Sequence, residues 1–394
     1  MVVLLAFAAT LVLAVLISEL AERSVLSTAV VFLVAGVLLG PDVLGALAIT
    51  PRDPLVEGLA ELALFAVLFS DGMRVGVSDL LSAWRLPGRA LLLGLPLTLA
   101  GTAVLAHLVA GLPWPEAFLL GAALSPTDPV FAAAIVGRQE VPARLRHLLN
   151  VESGLNDGLA LPVVVVLLAL VGRTEVEGAA LLGELALGVG IGVVVPWVAI
   201  RLESSRYLAA HTRYEPLSAV AIGLLVFALS ELTHANLFLA AFAAGVTIAT
   251  TETRVREAFH QFGELVAELL KLAALLVFGA LISPQFLGEI RLSGYVFAVL
   301  ALLAVRPLAL AVALAGSRLG RREWVAAAWF GPKGFASVVY ALLILKAGLG
   351  RSDELFHLAA LVITGSILAH SSTDVLVARW FHEEEAVADA GVKR

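Results

Sequence analysis

Residues Asn150 to Pro162 read Asn-Val-Glu-Ser-Gly-Leu-Asn-Asp-Gly-Leu-Ala-Leu-Pro and interrupt a segment that is otherwise apolar enough to span a bilayer. The stretch contains two carboxylates, Glu152 and Asp157, together with the hydroxyl of Ser153 and the carboxamide of Asn156. An ionised group at the centre of a bilayer costs at least ~2.5–3.5 kcal/mol on insertion. Several polar groups so close together therefore predict a functional site inside the membrane.

The composition excludes a soluble protein. Hydrophobic residues make up 60% of the 394 residues and charged residues 15%, whereas soluble domains are nearer ~45–50% apolar and ~25% charged. The apolar residues form runs of about twenty, which is the length that a transmembrane helix needs. Since lipid-embedded backbone must satisfy its own polar groups, these runs predict an all-α integral membrane protein.

Several function classes lack their sequence signals. The chain has no cysteine, which excludes a disulfide, a thiolate nucleophile and a Cys-ligated metal. It has no glycine-rich phosphate loop and no basic stretch suited to nucleic acid. Its histidines are scattered without metal-ligand spacing, so we expect interfacial roles for them. We therefore expect neither an enzyme, nor a cofactor, nor a nucleic-acid partner.

The apolar runs predict about thirteen spans. The first run lacks a basic leading segment, so we expect a retained helix and not a cleaved signal. The runs lie near residues 2–20, 25–40, 55–72, 88–110, 115–136, 145–171, 178–200, 214–232, 235–250, 264–282, 292–316, 323–346 and 354–378.

Arginine and lysine are distributed unequally between the two sides of the membrane. Loops after even-numbered spans hold only Arg52, Arg173, Arg291, Lys346 and Arg351. Loops after odd-numbered spans, with the segment beyond the last, hold Arg23, Arg74, Arg85, Arg89, Arg138, Arg144, Arg146, Arg201, Arg206, Arg213, Arg254, Arg256, Arg318, Arg321, Arg322 and Arg379. The positive-inside rule then predicts an outside N-terminus and a cytoplasmic C-terminus in the plasma (inner) membrane. Residues 379–394 are expected to form a short cytoplasmic tail.

Two spans are interrupted by proline. The fifth contains Ser125-Pro126-Thr127-Asp128-Pro129, and the twelfth contains Gly331-Pro332-Lys333-Gly334. Proline removes a backbone donor and breaks the helix, and half-helix ends then direct partial charges at the break. The two breaks lie seven spans apart and so run in opposite directions, which predicts an inverted repeat of six spans, a linker and six spans. The alternative is a simple kink that the hydroxyls of Ser125 and Thr127 satisfy.

Helical spacing sorts the polar residues of the sixth span. Each residue advances about 100°, so Ser153 and Asp157 share one face, while Glu152 and Asn156 share another. The first face offers hard oxygen ligands for a small cation, and the second offers groups for structural bonds. Arg306, a lone guanidinium inside the eleventh span, needs an anion, and Glu152 is the expected partner. Asp157 has no equally obvious cationic partner, as we expect of an exchangeable site.

The charges near the breaks have more than one possible role. Lys333 either neutralises Asp128, or caps the C-terminal end of a half-helix, or snorkels to the interface. Asp128 either ligates an ion through water or pairs with Lys333. The remaining acidic residues are expected at funnel mouths rather than in the site: Glu57, Glu61, Asp71 and Glu231.

Thr127-Asp128-Pro129, followed by Glu152-Ser153-Gly154-Leu155-Asn156-Asp157-Gly158, resembles the monovalent cation/proton antiporter superfamily. The closer resemblance is to its electroneutral sodium/proton exchanger branch, the NhaP-like proteins. That family has Thr-Asp-Pro in the fifth span, Glu-Ser-x-x-Asn-Asp in the sixth, an Arg in the eleventh that pairs with the motif Glu, and Gly-Pro-Arg-Gly in the twelfth. Lys333 departs from this pattern, since it keeps the charge of arginine but loses its bidentate geometry. We also expect no long cytoplasmic tail after the last span, which would be a second departure from the family.

The resemblance implies the sodium/proton antiporter fold and a homodimer that works by elevator-type alternating access. A core domain would comprise spans near 88–171 and 292–378, and a dimerisation domain would comprise spans near 2–72 and 178–250. Asp157 would bind either a proton or a cation, with Na+ held at Asp157, Ser153 and Thr127 and with Asp128 and Asn156 beside them. Asn156 stands where electrogenic relatives have a second Asp, which implies one-for-one, electroneutral exchange.

The sequence thus favours a Na+/H+ antiporter that contributes to pH homeostasis. A K+/H+ antiporter on the same scaffold is the first alternative, and Li+ is a further candidate substrate. A cation channel or sensor is the second. An intramembrane aspartyl protease could use Asp128 and Asp157, but it would need neither Arg306 nor the paired helix breaks.

Overall fold

The computed structural model describes residues 1–18, 27–50, 53–74, 86–128, 141–172, 178–203, 215–251 and 253–392. Within these residues all regular secondary structure is helical. We number the helices α1 to α15: Val2–Leu16, Thr28–Leu39, Pro54–Arg74, Pro87–Leu108, Trp114–Ala123, Ala143–Val171, Gly178–Glu203, Glu215–Thr233, Leu237–Thr251, Thr253–Ala280, Pro284–Glu289, Leu292–Ala313, Arg321–Trp329, Phe335–Lys346 and Ser352–Val392.

The helices follow the predicted spans closely and confirm a multi-pass membrane protein. Within the described residues, five helical stretches are long and apolar enough to cross a bilayer: Pro87–Leu108, Ala143–Val171, Leu182–Glu203, Leu292–Ala313 and Ser352–Thr373. Shorter apolar helices accompany them. Large apolar side chains are exposed on the outside of the bundle, such as Leu182 (67%), Leu224 (60%) and Leu308 (66%). Exposed apolar surface on this scale fits contact with lipid.

Three elements differ from the spans expected from hydropathy. Helix α10 begins at Thr253 and not near residue 264, because a polar, amphipathic stretch precedes its apolar part. Helix α15 continues to Val392, so the expected tail is helical in continuity with the last span. Helix α5 ends at Ala123, and the expected continuation of the fifth span through Pro129 to residue 136 lies outside the described residues. The predicted orientation rests on the loop arginines, and several of these, among them Arg23 and Arg138, also lie outside the described residues.

Helices α4 and α12 carry the same local irregularity in the two halves of the chain. Each contains a π-helical turn, Ala90–Gly94 in α4 and Ala301–Val305 in α12. Each turn is followed by a residue-proline pair, Leu95-Pro96 or Arg306-Pro307. A wider turn accommodates a ring that has no amide hydrogen and crowds the preceding carbonyls. These paired turns, like the breaks of the fifth and twelfth spans, recur in both halves of the chain, as the predicted inverted repeat requires.

Small residues bring the helices close together around the site. A Cβ on Gly245 of α9 would lie 2.2 Å from the Phe69 carbonyl oxygen of α3, and a Cβ on Gly36 of α2 would lie 2.1 Å from the Leu276 carbonyl oxygen of α10. Close backbone contact of this kind drives helix association in lipid, where apolar burial between helices gains little. Asp71, which precedes Gly72 on α3, is buried next to this contact.

Helix α6 occupies the centre of the bundle. It packs against α3, α4, α5, α9, α13 and α14. Its polar turn from Glu152 to Asp157 is buried. Pro162 lies within the helix one turn later. The motif that decides the fold is therefore surrounded by helices from both halves of the chain.

Candidate functional site

The two helix breaks cross in the interior of the protein. Helix α5 ends at Ala123 and is followed by non-helical residues up to Asp128, while residues 330–334 separate α13 from α14. The backbone amide of Asp128 donates a hydrogen bond of 2.9 Å to the Pro332 carbonyl oxygen. One break therefore satisfies part of the backbone that the other exposes, as hydrocarbon surroundings require.

Each break also supplies a charge to a half-helix of the other. Asp128 Oδ2 accepts a hydrogen bond of 3.1 Å from the Phe335 amide at the N-terminus of α14. Lys333 Nζ lies 3.4 Å from the Ser125 carbonyl oxygen and 3.5 Å from that of Pro126, beyond the C-terminal end of α5. An anion suits a helix N-terminus and a cation suits a C-terminus. Lys333 is 5% exposed, so it caps a half-helix and does not snorkel.

Glycine permits the close approach of side chains at the second break. A Cβ on Gly334 would lie 2.0 Å from Asp128 Cβ, and a Cβ on Gly331 would lie 2.0 Å from Arg306 Cδ. Such distances are far inside van der Waals contact. The Gly-Pro-Lys-Gly sequence thus leaves room for two charged side chains from other helices.

Helix α15 supports the second break. The Lys333 amide donates to Ser366 Oγ at 2.7 Å, and His370 Nε2 lies 2.9 Å from the Trp329 carbonyl oxygen. His370 is 2% exposed. The expectation of an interfacial role is therefore wrong for this histidine, because the backbone freed at the end of α13 needs a buried partner.

Glu152 and Arg306 form a buried bidentate ion pair. Arg306 Nη1 donates to Glu152 Oε1 at 2.7 Å and Nη2 donates to Oε2 at 3.0 Å. The Nε group lies 3.3 Å from the Ala327 carbonyl oxygen of α13. Paired donors and acceptors offset the cost of removing both charges from water. The pair joins α6 to α12, and the third bond ties both to α13.

A cluster of hydroxyl and amide groups adjoins this pair. Thr127 Oγ1 lies 3.2 Å from Ser153 Oγ, and Asn156 Nδ2 donates to Thr127 Oγ1 at 2.7 Å. Asn156 therefore belongs to the cluster of Thr127 and Ser153. The expectation that it shares a structural face with Glu152 is wrong. Residues three apart are helix neighbours as well, and the position of Thr127 on the first break selects this pairing.

Asp157 is buried among these groups at 5% exposure. Its Oδ1 atom has no hydrogen-bond partner among the described residues, and the same is true of Asn156 Oδ1. Asp71, Asp128 and Lys271 lie close enough to Asp157 to act electrostatically on its carboxylate. The charges that surround Asp157 thus come from the first break and from two further helices, α3 and α10.

Asp71 and Lys271 were not predicted at the site. Asp71 is 7% exposed and not at a funnel mouth, because α3 continues to Arg74 and buries the turn before it. Glu231 is exposed, and Glu61 forms a partly exposed ion pair with Lys346 at 2.9 Å; the side chain of Glu57 lies outside the described residues. Lys271 could have been found from the sequence, because it is a charged residue inside the apolar run of the tenth span.

Comparison with known proteins identifies the family. Residues 7–379 match the family described as sodium/hydrogen exchanger, transmembrane. The chain belongs to this family. Its membership confirms the resemblance read from the motifs, and it places the chain among transporters and not among enzymes.

Named relatives of this chain share about a quarter of its residues. The K+/H+ antiporter NhaP2 of Shewanella sp. (strain MR-4) is 26% identical over 378 residues, which cover 93% of the chain and 64% of that relative. The K+/H+ antiporter NhaP of Alkalimonas amylolytica is 27% identical over 360 residues, which cover 90% and 62%. The chain thus spans less than two thirds of the length of these relatives.

A solved structure shares the fold of this chain. The sodium proton antiporter MjNhaP1 from Methanocaldococcus jannaschii matches with a TM-score of 0.77 at 20% identity, over 96% of this chain and 99% of that one. This likeness confirms the predicted sodium/proton antiporter fold.

The Glu152–Arg306 pair yields a test of stability. Removing one member of a buried pair leaves an uncompensated charge, which typically costs ~3–5 kcal/mol. Arg306→Ala should therefore lower the melting temperature of the purified protein in detergent strongly. Arg351→Ala is the matched control, because the Arg351–Glu354 pair is exposed and should contribute ~0–1 kcal/mol. Equal melting temperatures for the two variants would contradict the structural role of the pair.

The crossed caps at Asp128 and Lys333 yield a double-mutant cycle. Asp128→Asn and Lys333→Gln each remove a charge that faces a half-helix end, which is worth up to ~2 kcal/mol when partly buried. The charges compensate each other across the crossing, so the double variant should lose less stability than the sum of the two losses. Thermal denaturation of the three variants measures the coupling, and strictly additive losses would mean that the two caps are independent.

Proposed function

We propose that this chain exchanges an alkali cation for a proton across the plasma membrane, with Asp157 as the exchanging carboxylate. The observation that carries the proposal is the buried Asp157 whose Oδ1 no described residue hydrogen-bonds, beside the Thr127 and Ser153 hydroxyls. Hydroxyl and carboxylate oxygens are hard ligands that suit a small cation. By contrast, the carboxylate of Glu152 is already saturated by Arg306.

Competition at one carboxylate is sufficient for coupling. Burial disfavours the charged form of a carboxylate, and either a proton or a cation removes the penalty. The two therefore exclude each other at Asp157. Movement of the site with neither bound would carry an unpaired charge through the low-dielectric interior, which is costly. Exchange then needs no nucleotide and no cofactor.

The moving unit in this proposal is the core domain formed by spans near 88–171 and 292–378. The crossed breaks, the Glu152–Arg306 pair and the α4–α12 contact all join helices of this unit. The spans near 2–72 and 178–250 would form the stationary dimerisation domain of a homodimer, with the N-terminus outside and the C-terminus in the cytoplasm. Asp71 would then act on Asp157 from α3, across the boundary between the two units, and Lys271 would act from α10, which lies in neither range.

Sodium is the first candidate cation and potassium the second. The fold neighbour MjNhaP1 is a sodium proton antiporter, and the hydroxyls of Thr127 and Ser153 are compact oxygen ligands. The names of the curated relatives, which are K+/H+ antiporters, favour potassium. Ligand number and site size discriminate between these ions. The transport assay therefore decides which cation is the substrate.

The central test is proton movement in proteoliposomes under an imposed cation gradient. The wild-type chain should alkalinise or acidify the lumen when Na+, Li+ or K+ is supplied in turn, and Asp157→Asn should abolish the signal. Asp353→Asn, at an exposed position at the start of α15, is the matched control and should retain it. Robust cation-dependent proton flux through Asp157→Asn would remove Asp157 from the centre of the mechanism. Flux of cations without proton counter-flow would favour a channel.

The stoichiometry has a separate test. Asn156 carries no charge, which leaves Asp157 as the carboxylate of this pair that exchanges one cation for one proton. With the membrane potential clamped by K+ and valinomycin, the endpoint of a Na+-driven pH change should therefore ignore the imposed potential. An endpoint that moves with the potential would mean that more than one proton is exchanged per cation. A second group would then have to titrate, and Asp71 would be the first residue to test by substitution.

A further inference from the structure

Tyr340 joins the second broken span to the exchange site. Its hydroxyl group donates a hydrogen bond of 2.9 Å to the main-chain carbonyl oxygen of Asp157. Tyr340 is 0% exposed and is among the largest fully buried side chains in the described part of the chain. It lies on α14, the half-helix whose N-terminus Asp128 caps.

The bond reaches a turn of α6 that lacks part of its own backbone support. Pro162 has no amide hydrogen for the Gly158 carbonyl, and its ring crowds that turn of the helix. From another side, the Phe242 ring of α9 packs so closely that a Cβ on Gly158 would lie 2.7 Å from it. The peptide that follows Asp157 therefore has a hydroxyl group on one side and an aromatic ring on another, and the next carbonyl, that of Gly158, lacks its helical donor.

We infer that Tyr340 is a positioning residue for the Asp157 carboxylate. The hydroxyl fixes the peptide from which the Asp157 side chain projects, so it sets the direction of Oδ1 relative to the Thr127 and Ser153 hydroxyls. The inference rests on the proposed function, since it concerns the cation site at Asp157. It also means that the broken helix touches the site at two points, through Asp128 at the start of α14 and through Tyr340 more than one turn later.

A positioning role and a purely structural role differ in what they change. A hydroxyl group that only satisfies a buried carbonyl contributes to stability and leaves cation affinity unaltered. A hydroxyl group that orients the carboxylate changes how well the ligands converge on the cation. The second role raises KM for the cation and has little effect on the maximal rate, because the moving unit itself is intact.

The test compares Tyr340→Phe with Tyr295→Phe. Both variants remove one hydroxyl group that donates to a main-chain carbonyl, since Tyr295 bonds the Leu287 carbonyl at 2.8 Å in an exposed position. In proteoliposomes at alkaline pH, where protons compete least, Tyr340→Phe should raise KM for the transported cation about three- to tenfold, the range expected for loss of one hydrogen bond. Its maximal rate should change less than about twofold, and Tyr295→Phe should match the wild type.

A rescue experiment checks the physical cause. Pro162→Ala restores the helical bond to the Gly158 carbonyl and so stabilises the same turn, but it does not replace the Tyr340 bond to the Asp157 carbonyl. The Pro162→Ala/Tyr340→Phe double variant should therefore regain thermal stability and keep the raised KM. The double variant also carries the measurement if Tyr340→Phe alone fails to fold. A folded Tyr340→Phe protein with wild-type KM, or a double variant whose KM returns to the wild-type value with its stability, overturns the inference.

The outcomes separate this inference from the proposed function. A wild-type protein that shows no cation-dependent proton flux overturns the proposed function and the inference with it. A wild-type protein that exchanges, with a Tyr340→Phe variant that only melts earlier and keeps its KM, overturns the inference alone.

Discussion

The crossing of the two helix breaks is the constraint on which the rest of the structure depends. Broken helices expose backbone groups that hydrocarbon cannot satisfy, and here each break satisfies the other. The Asp128 amide bonds the Pro332 carbonyl, the Asp128 carboxylate caps α14, and Lys333 lies against the carbonyls beyond α5. Neither break could be buried alone at this depth. The pairing therefore explains why both occur, and it brings Thr127 to α6.

The charged side chains of the site differ in whether they have a bonded partner. Glu152 is saturated by a bidentate guanidinium, and Asp128 and Lys333 are each engaged with a half-helix end. Asp157 differs, because its Oδ1 has no hydrogen-bond partner in the described part of the chain. A rigid frame of paired charges around one exchangeable carboxylate is suited to a carrier, since the frame keeps its geometry while the occupant of the site changes.

Backbone packing supplies the precision of this frame. Gly331 and Gly334 admit the side chains of Arg306 and Asp128, and Gly158 admits the ring of Phe242 beside Asp157. Where α6 loses helical support at Pro162, the Tyr340 hydroxyl reaches the neighbouring carbonyl. Glycines, Pro162 and the Tyr340 hydroxyl thus shape the backbone around Asp157, and through the backbone they act on its carboxylate.

The sequence by itself determined the class of protein, the spans, both breaks and the residues of the central motif. It could do so because burying polar groups in lipid is so costly that each exception stands out along the chain. It also named Glu152 as the partner expected for Arg306. Only the tertiary structure decided that Asn156 pairs with Thr127, that Asp71 and Lys271 approach Asp157, and that Tyr340 reaches its carbonyl. These facts depend on which distant helices pack together and at what rotation, and helical spacing within one span carries no information about either.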